Sequence, residues 1–302
     1  MLFCRVENLI VVGGGITGLL TAYLAPGSTV IEREPEVLNS RASLYLVMPP
    51  LCGDLAQVCL SSGEELERVA DKVGVNHSRR HIVRVDPKPL GGKIVEGKEL
   101  RELEPLLKAE RAEVFDNGVW VDGDSLIESL YREVKPLKGE AKVVINKGRV
   151  EGVEVNGTLI RAEGYVFATG YLTDRVLGRR FNKLKGHLLV ARPVGLRNVV
   201  ILNGKIAVEG RFLLLDGDAV PSEDRGVDTN SVGAVIETFR QGLGREIEVL
   251  EVRAGLRTVS ETGRPVVEKV AENAVLITGY RFGFALAPYM AREGLRLLGY
   301  SK

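Results

Sequence analysis

The chain has 302 residues, 45% of them hydrophobic, with 41 Lys and Arg against 40 Asp and Glu and a formal net charge of +1. That size and apolar content can bury two ordinary cores or one large interrupted one, and the balanced charge excludes both a basic nucleic-acid binder and an acidic solvating tail. Three cysteines, Cys4, Cys52 and Cys59, are an odd and sparse set that argues against a disulfide framework and fits a reducing, cytoplasmic setting.

In chain order, residues 8–12 (NLIVV) are a short continuous apolar run, as expected of a strand buried on both faces. The run is too short for a signal peptide and ends in glycines. Residues 16–25 read as a helix stopped by Pro26-Gly27, and residues 28–32 as a second strand. Residues 33–62, with Pro35, Pro49, Pro50 and Gly53, read as a long loop holding one short helix. Residues 63–73 carry Leu66, Val69, Ala70 and Val73 on one helical face. A strand at 81–85, a short helix near 98–107 and a hairpin-like stretch at 114–123 follow. Residues 124–134 read as a helix capped by Asp124 or Ser125. Short β runs then crowd together at 142–146, 150–154, 157–161 and 164–168, with a hairpin turn at Asn156-Gly157. Residues 186–216 read as three or four antiparallel strands and 230–243 as a helix. Strands at 246–253, 264–268 and 274–278 precede a C-terminal helix at about 284–299. No stretch approaches the roughly 18 apolar residues of a spanning helix, so a soluble protein is expected, with peripheral attachment to a membrane left open.

Gly13, Gly15 and Gly18 stand in G-x-G-x-x-G spacing between the first strand and the first helix. The first glycine permits a tight turn, the second lets backbone approach a pyrophosphate, and the third allows close helix–strand packing. The anion then sits on free N–H groups at the positive end of the helix. Glu32 ends the second strand about 20 residues on, where a carboxylate accepts hydrogen bonds from ribose hydroxyls and repels a 2′-phosphate. The motif alone leaves FAD and NAD open. Two later segments favour FAD: the apolar strand 164–170, ending in Ala168-Thr169-Gly170, and 274–288, where Gly279 and Gly283 frame a helix N-terminus suited to the electron-rich edge of a flavin.

These segments, in this order, resemble the glycine oxidase/D-amino-acid oxidase family of FAD enzymes, in its glycine oxidase/sarcosine oxidase-like branch. The resemblance is carried by GGGITGLLTAYLA leading into VIER, by the Ser-rich SRASLYLVMP, by KGHLLV at 185–190, by RAGLRTVSETGRPVV and by GYRFGFALAP. It implies an α/β fold with an α+β second domain: a Rossmann-like FAD domain of residues 1–75, 138–182 and 253–302, and an inserted antiparallel-sheet substrate domain of residues 76–137 and 183–252. Carried onto matching positions, it implies a cofactor site of Gly13, Gly14, Gly15, Ile16, Thr17, Gly18, Glu32 and Arg33, then Ser40, Arg41, Ala42, Ser43 and Met48. Val144, Ala168, Thr169, Gly170 and Arg257 follow, and finally Gly279, Tyr280, Arg281, Phe282, Gly283, Phe284 and Ala285. Non-covalent FAD is expected, because no cysteine lies in the C-terminal half, where the related sarcosine oxidases attach flavin. The chain departs from the family pattern at Thr258 (family Pro), Thr262 (Asp), Tyr280 (His) and Phe282 (Asn), and 197–216 holds no tyrosine for the substrate.

The implied activity is oxidation of a Cα–N bond in a small amino acid or secondary amine, giving an imino acid and then a keto acid. Such a substrate needs a cation for its carboxylate, and the planar arginine fork suits that geometry. Arg257 and Arg281 occupy the matching positions and are the candidate catalytic residues. No general base is required if the amine binds neutral. His187 reads as a polar sheet residue, and Trp120 and Asp122 as fold residues. Tyr45, Leu46 and Met48 either cover the flavin or pack in the core. No His/Cys cluster has metal spacing. The alternatives are an FAD oxidoreductase for a 2-hydroxy acid or glycerol phosphate, and an FAD-carrying electron-transfer subunit of a larger dehydrogenase. The electron acceptor and a homo- or hetero-oligomeric state stay open.

Overall fold

In a computed structural model, the structure describes residues 6–37, 39–86 and 88–300. Cys4 lies outside the described residues. The first strands are β1 (Val6–Val12), β2 (Thr29–Glu32), β3 (Leu46–Val47), β4 (His77–Val85), β5 (Lys93–Glu96) and β6 (Arg111–Val121). Next come β7 (Leu137–Lys138), β8 (Ala141–Asn146), β9 (Arg149–Val155), β10 (Thr158–Phe167), β11 (Asn182–Ala191) and β12 (Val199–Leu202). The last are β13 (Lys205–Glu209), β14 (Leu213–Asp216), β15 (Val220–Pro221), β16 (Val249–Val259), β17 (Val266–Ala271) and β18 (Ala274–Thr278). The helices are α1 (Ile16–Leu24), α2 (Ala56–Val73), α3 (Gly97–Leu103), α4 (Gly123–Val134), α5 (Thr173–Leu177), α6 (Thr229–Leu243) and α7 (Gly283–Leu297).

The chain divides into two units: residues 1–40, 124–184 and 257–302 form the first, and 41–123 and 185–256 the second. The first unit is built on a sheet of order β17-β18-β10-β1-β2-β7. β1 pairs in parallel with β2 and β10, and β10 in parallel with β18. Such strands are covered on both faces and read as unbroken apolar runs. Ile10, Ile31, Tyr165, Phe167 and Leu276 are accordingly fully buried, each contributing roughly 1.5–3 kcal/mol of transfer free energy. Helix α1 packs on α7. The order runs outward from β1 in both directions, so its C-terminal end is the crevice where such sheets take ligands.

The second unit has a sheet of order β15-β11-β14-β13-β12-β4-β6-β3, antiparallel from β11 to β12 and from β4 to β3, with β12 parallel to β4. Its core joins Val83, Val200, Leu202, Leu213 and Leu215 to Val235, Phe239 and Leu243 of α6. Those three lie four apart on one helical face. Asp228 caps α6, its carboxylate accepting from the main-chain N–H groups of Asn230 and Ser231, and Gly244 ends it in a left-handed conformation.

Several local expectations change. Residues 33–62 are less loop than expected: α2 begins at Ala56, because the turns carrying Pro49, Pro50 and Gly53 end just before it. On α2, Gly63 lets β3 approach, since a Cβ there would stand 3.1 Å from Val47. The stretch 114–123 is no hairpin. It is one strand in which Gly118 faces Arg80 at a register shift, so Asp116-Asn117-Gly118 serves a bulge and not a turn. The runs 157–161 and 164–168 merge into β10. Helix α4 begins at Gly123, so Asp124 and Ser125 lie in its first turn. Against the expected reducing pattern, Cys52 and Cys59 form a disulfide that ties the turn before α2 to its first turn. By this division residues 41–75 fall in the second unit and 124–137 in the first, while the other two boundaries move by a few residues. The turn at Asn156-Gly157 stands as expected, with φ of +51° and +79° and Val155 paired to Thr158.

Candidate functional site

The glycine turn sits where β1 ends, flanked by the ends of β2 and β10. Gly13 has φ of +109° and donates to the Ile31 carbonyl at 2.9 Å. A Cβ on Gly13 would stand 2.3 Å from the Ala168 carbonyl oxygen, and one on Gly18 would stand 1.8 Å from the Gly13 carbonyl oxygen. Both glycines are therefore required by backbone contact. Gly15 is different. Its φ is −69°, and an added Cβ would meet only the Ser40 hydroxyl, at 3.1 Å. Nothing in the protein itself forbids a side chain there.

The same turn gathers polar partners. The Gly14 N–H donates to one Glu32 carboxylate oxygen at 2.6 Å, and the Glu34 N–H to the other at 2.7 Å. The Ile16 N–H, in the first turn of α1, donates to the Ser40 hydroxyl at 3.0 Å. Arg33 places one terminal nitrogen 2.9 Å from Glu34, while its Nε is buried with no partner. The hydroxyls of Thr17 and Tyr280 lie 2.5 Å apart, joining α1 to the turn before α7. Burial pushes the Tyr280 phenol up to about 12, the bond to Thr17 drawing it partly back.

The other strand ends carry the remaining candidates. The Ala168 N–H donates to the Val12 carbonyl, the Thr169 hydroxyl meets Thr173, and Gly170 has φ of +52°. The hydroxyl of Thr258 lies 3.1 Å from that of Thr278 and accepts the Gly279 N–H at 3.3 Å. Thr258, a departure from the family pattern, thus joins the strand of half-buried Arg257 to the turn of exposed Arg281. Helix α7 starts after Phe282 with no side-chain cap and no acidic residue in its first turn, so the positive end of its dipole suits an anionic or electron-rich partner.

The remaining residues scatter. Arg41, Ala42, Ser43 and Met48 belong to the second unit, where Met48 is buried and the Arg41 carbonyl accepts from Tyr45 and Arg253. Val144 is half-buried on β8, next to Val143, which packs on the first core. His187 is fully buried on β11. Its Nδ1 bonds the Asp218 carboxylate at 2.5 Å, and its Nε2 accepts the Asp228 N–H at 3.0 Å. Both ring nitrogens are engaged, so the ring is a sheet residue without a free basic atom. Sequence reasoning missed Tyr131 of α4, whose hydroxyl would stand 2.7 Å from a Cβ on Gly14. Its helix was expected in the other domain, and no motif marks it.

The group that fits is an extended diphosphate-linked nucleotide. Gly15 leaves room that only a close-approaching ligand explains, Arg33 offers a buried N–H without an acceptor, and both helix starts lack an acidic residue. Among the described residues no group of His, Cys, Asp and Glu could hold a metal ion, and no helix is long and apolar enough to cross a membrane.

The model of the FAD dependent oxidoreductase family matches residues 8–295. The chain belongs to this family. It has the two-sheet α/β fold of that family. Among curated proteins it is 25% identical, over 94% of its length, to a bifunctional protein ThiO/ThiG from a Nostoc strain. The chain spans about half of that relative, 51%. Among solved structures, an iminodiacetate oxidase from a Chelativorans strain superposes with a TM-score of 0.82 at 17% identity, over 97% of this chain and 96% of that one. A glycine oxidase from Bacillus cereus gives 0.82 at 19%, over 98% and 96%. At such identities the likeness speaks for the fold.

Proposed function

We propose that this FAD-dependent oxidoreductase oxidises the Cα–N bond of a small amino acid or secondary amine. The observation that carries the reading is the Thr258–Gly279 hydrogen bond. It couples the strand of Arg257 to the turn of Arg281, in the unit that also carries the glycine turn. Arginines on two segments so joined are suited to one substrate carboxylate held at two points. When bound, FAD supplies a two-electron acceptor that takes the α-hydrogen as hydride, and water hydrolyses the resulting imine. FAD itself would rest on Gly13–Gly18, Glu32, Arg33, Ala168–Gly170 and the start of α7.

The residues of the chain then act by holding. Arg257 and Arg281 fix the carboxylate, which sets the direction of the Cα–H bond; orientation of that kind supplies much of the rate. No general base is required if the amine binds neutral. Glycine and iminodiacetate join the trial panel because the compared solved structures carry those names.

The test is anaerobic mixing of the FAD-loaded protein with glycine, iminodiacetate, sarcosine, D- and L-proline, D-alanine and a 2-hydroxy acid, followed by oxygen. Loss of the flavin absorption band with an amino acid is expected. Bleaching by the 2-hydroxy acid alone, or by nothing, overturns the reading. The oxygen step then reports the acceptor.

A further inference from the structure

The corner that follows β10 packs directly on the glycine turn. A Cβ on Gly13 would stand 2.3 Å from the Ala168 carbonyl oxygen and 3.3 Å from the Thr169 nitrogen. The peptide between Ala168 and Thr169 is therefore one wall of that turn, and whatever fixes this peptide also shapes the turn. Both lie in the first unit.

Thr173, the first residue of α5, reaches back to the corner. It is 1% exposed. Its hydroxyl donates to the Gly170 carbonyl at 2.7 Å and lies 2.9 Å from the hydroxyl of Thr169, which is also buried. A carbonyl only accepts, so the Thr173 proton is committed to Gly170, and Thr169 must donate to Thr173. The two hydroxyls form a directed chain from Thr169 through Thr173 to Gly170. The Leu172 N–H, donating to the Thr169 carbonyl at 3.0 Å, closes the same turn.

Thr173 is itself anchored. Val176 and Leu177 of α5 pack on the first core, and Asp174 is paired with Lys183 at 2.7 Å. At the other end of the chain of bonds, Gly170 has φ of +52°, and its outer side is open: an added Cβ meets nothing within 4 Å. A hydroxyl bonded to a nearby main-chain carbonyl is a common local turn. The bond to Thr169 is not needed for such a turn. It carries the brace past the start of α5 to the residue whose main-chain nitrogen faces Gly13.

We infer that Thr173 is a positioning residue for FAD, holding the corner Ala168–Gly170 in place against the glycine turn. It acts through Thr169 and Gly170. The inference rests on the proposed placement of FAD on Ala168–Gly170 and adds the residue that sets their geometry. Without the Thr173 hydroxyl, Thr169 loses its acceptor and the Gly170 carbonyl loses a donor, in a place closed to water. The corner then shifts to find other partners, and the wall of the glycine turn shifts with it.

The test titrates FAD into the apoproteins of wild type, Thr173→Val and Thr173→Ser by flavin fluorescence. Visible circular dichroism of the loaded proteins and urea unfolding of the apoproteins accompany it. Valine keeps the branched shape without the hydroxyl, and serine keeps the hydroxyl. Thr173→Val binds FAD about tenfold or more weakly and alters the flavin dichroic bands. Thr173→Ser recovers most of the affinity and keeps the bands. A residue that serves the fold alone would lower only the urea midpoint. Two results overturn the inference: a folded Thr173→Val with wild-type affinity and bands, or Thr173→Ser as weak as Thr173→Val, which would place the effect in packing. Should Thr173→Val not fold, Thr173→Cys, whose S–H is a weak donor, carries the same test; an intermediate loss of affinity is expected, and wild-type affinity overturns the inference. None of these readouts involves a substrate. Amino acids that fail to bleach the flavin, with FAD affinity lost in Thr173→Val, remove the proposed function and leave this role standing. Bleaching by amino acids, with FAD affinity unchanged in Thr173→Val, does the reverse.

Discussion

The main-chain N–H of Gly14 donates to the carboxylate of Glu32 across 2.6 Å. The bond ties the end of β2 to the middle of the glycine turn, and the Glu34 N–H holds the other oxygen. A carboxylate has about four lone-pair positions, so two remain for the hydroxyls of a bound ribose. Glu32→Gln replaces one acceptor oxygen by a donor that faces other N–H groups. The expected outcome is FAD affinity lower by about ten- to a hundredfold, read by titrating the apoprotein and following flavin fluorescence. Unchanged affinity would remove Glu32 from the cofactor site.

Gly15 and Gly18 separate ligand demand from fold demand. A Cβ on Gly18 strikes the Gly13 carbonyl oxygen, and backbone cannot step aside cheaply. Gly18→Ala should lower stability by about 1–3 kcal/mol or more and lose FAD as a consequence. A Cβ on Gly15 meets only a rotatable hydroxyl. Gly15→Ala should leave the apoprotein within about 0.5 kcal/mol of wild type, yet bind FAD at least about tenfold more weakly. Thermal unfolding of both apoproteins and FAD titration check the contrast. Equal loss of stability in the two variants would contradict it.

Tyr280 gives a pH signature. Burial raises its phenol to about 12 in the folded protein, against about 10 in an unfolded chain. A folded value above the unfolded one means that the contribution is fully present below pH 10 and is lost as pH climbs toward 12. The unfolding free energy of wild type minus that of Tyr280→Phe should be flat from neutral pH to about 9 and shrink between about 10 and 12. Urea titrations across that range test it; a difference that already falls near neutrality would show the phenol ionising early.

The parts legible from sequence are those where local chemistry decides alone. Asn156-Gly157 takes positive φ at both positions because those residue types tolerate it. The run from β1 through the glycines to Glu32 is continuous in sequence and in space, so its spacing specifies its geometry. Tyr131 was not legible: its closeness to Gly14 depends on where α4 docks, and a tyrosine on an amphipathic helix carries no mark of that. Gly118 sent the opposite signal, because Asp-Asn-Gly serves a turn or a bulge equally well until the partner strand is known. The Cys52–Cys59 pair was hidden by an odd count, since Cys4 obscured an even remainder.

His187 should behave as a brace. Its Nδ1 serves Asp218 and its Nε2 serves the N–H of Asp228, the cap of α6. His187→Ala removes the ring's bond to Asp218 Oδ2, which keeps the main-chain N–H of residue 187 on its other oxygen, and the acceptor of the Asp228 N–H, which should cost about 1–3 kcal/mol. Where the folded variant persists, turnover should keep its wild-type pH profile, because no proton of the reaction passes through this ring. A variant with normal urea resistance and a hundredfold loss of turnover would instead make the ring part of the chemistry.

Arg257 and Arg281 should differ in what else they support. Arg281 is exposed on the turn before α7 and makes no ion pair among the described residues, so Arg281→Ala should leave the unfolding temperature nearly unchanged. Arg257 lies half-buried in β16, and Arg257→Ala should cost stability as well. Both should raise KM for the oxidised amino acid by about ten- to a hundredfold, the cost of a lost charge-assisted hydrogen bond. Lysine at either position should recover only part, since a point charge lacks the planar two-point contact. The decisive control is an amine of similar size without a carboxylate. If the arginines hold that group, each variant narrows the preference for the amino acid over the plain amine; equal losses for both would mean that the arginines shape the site without touching the carboxylate.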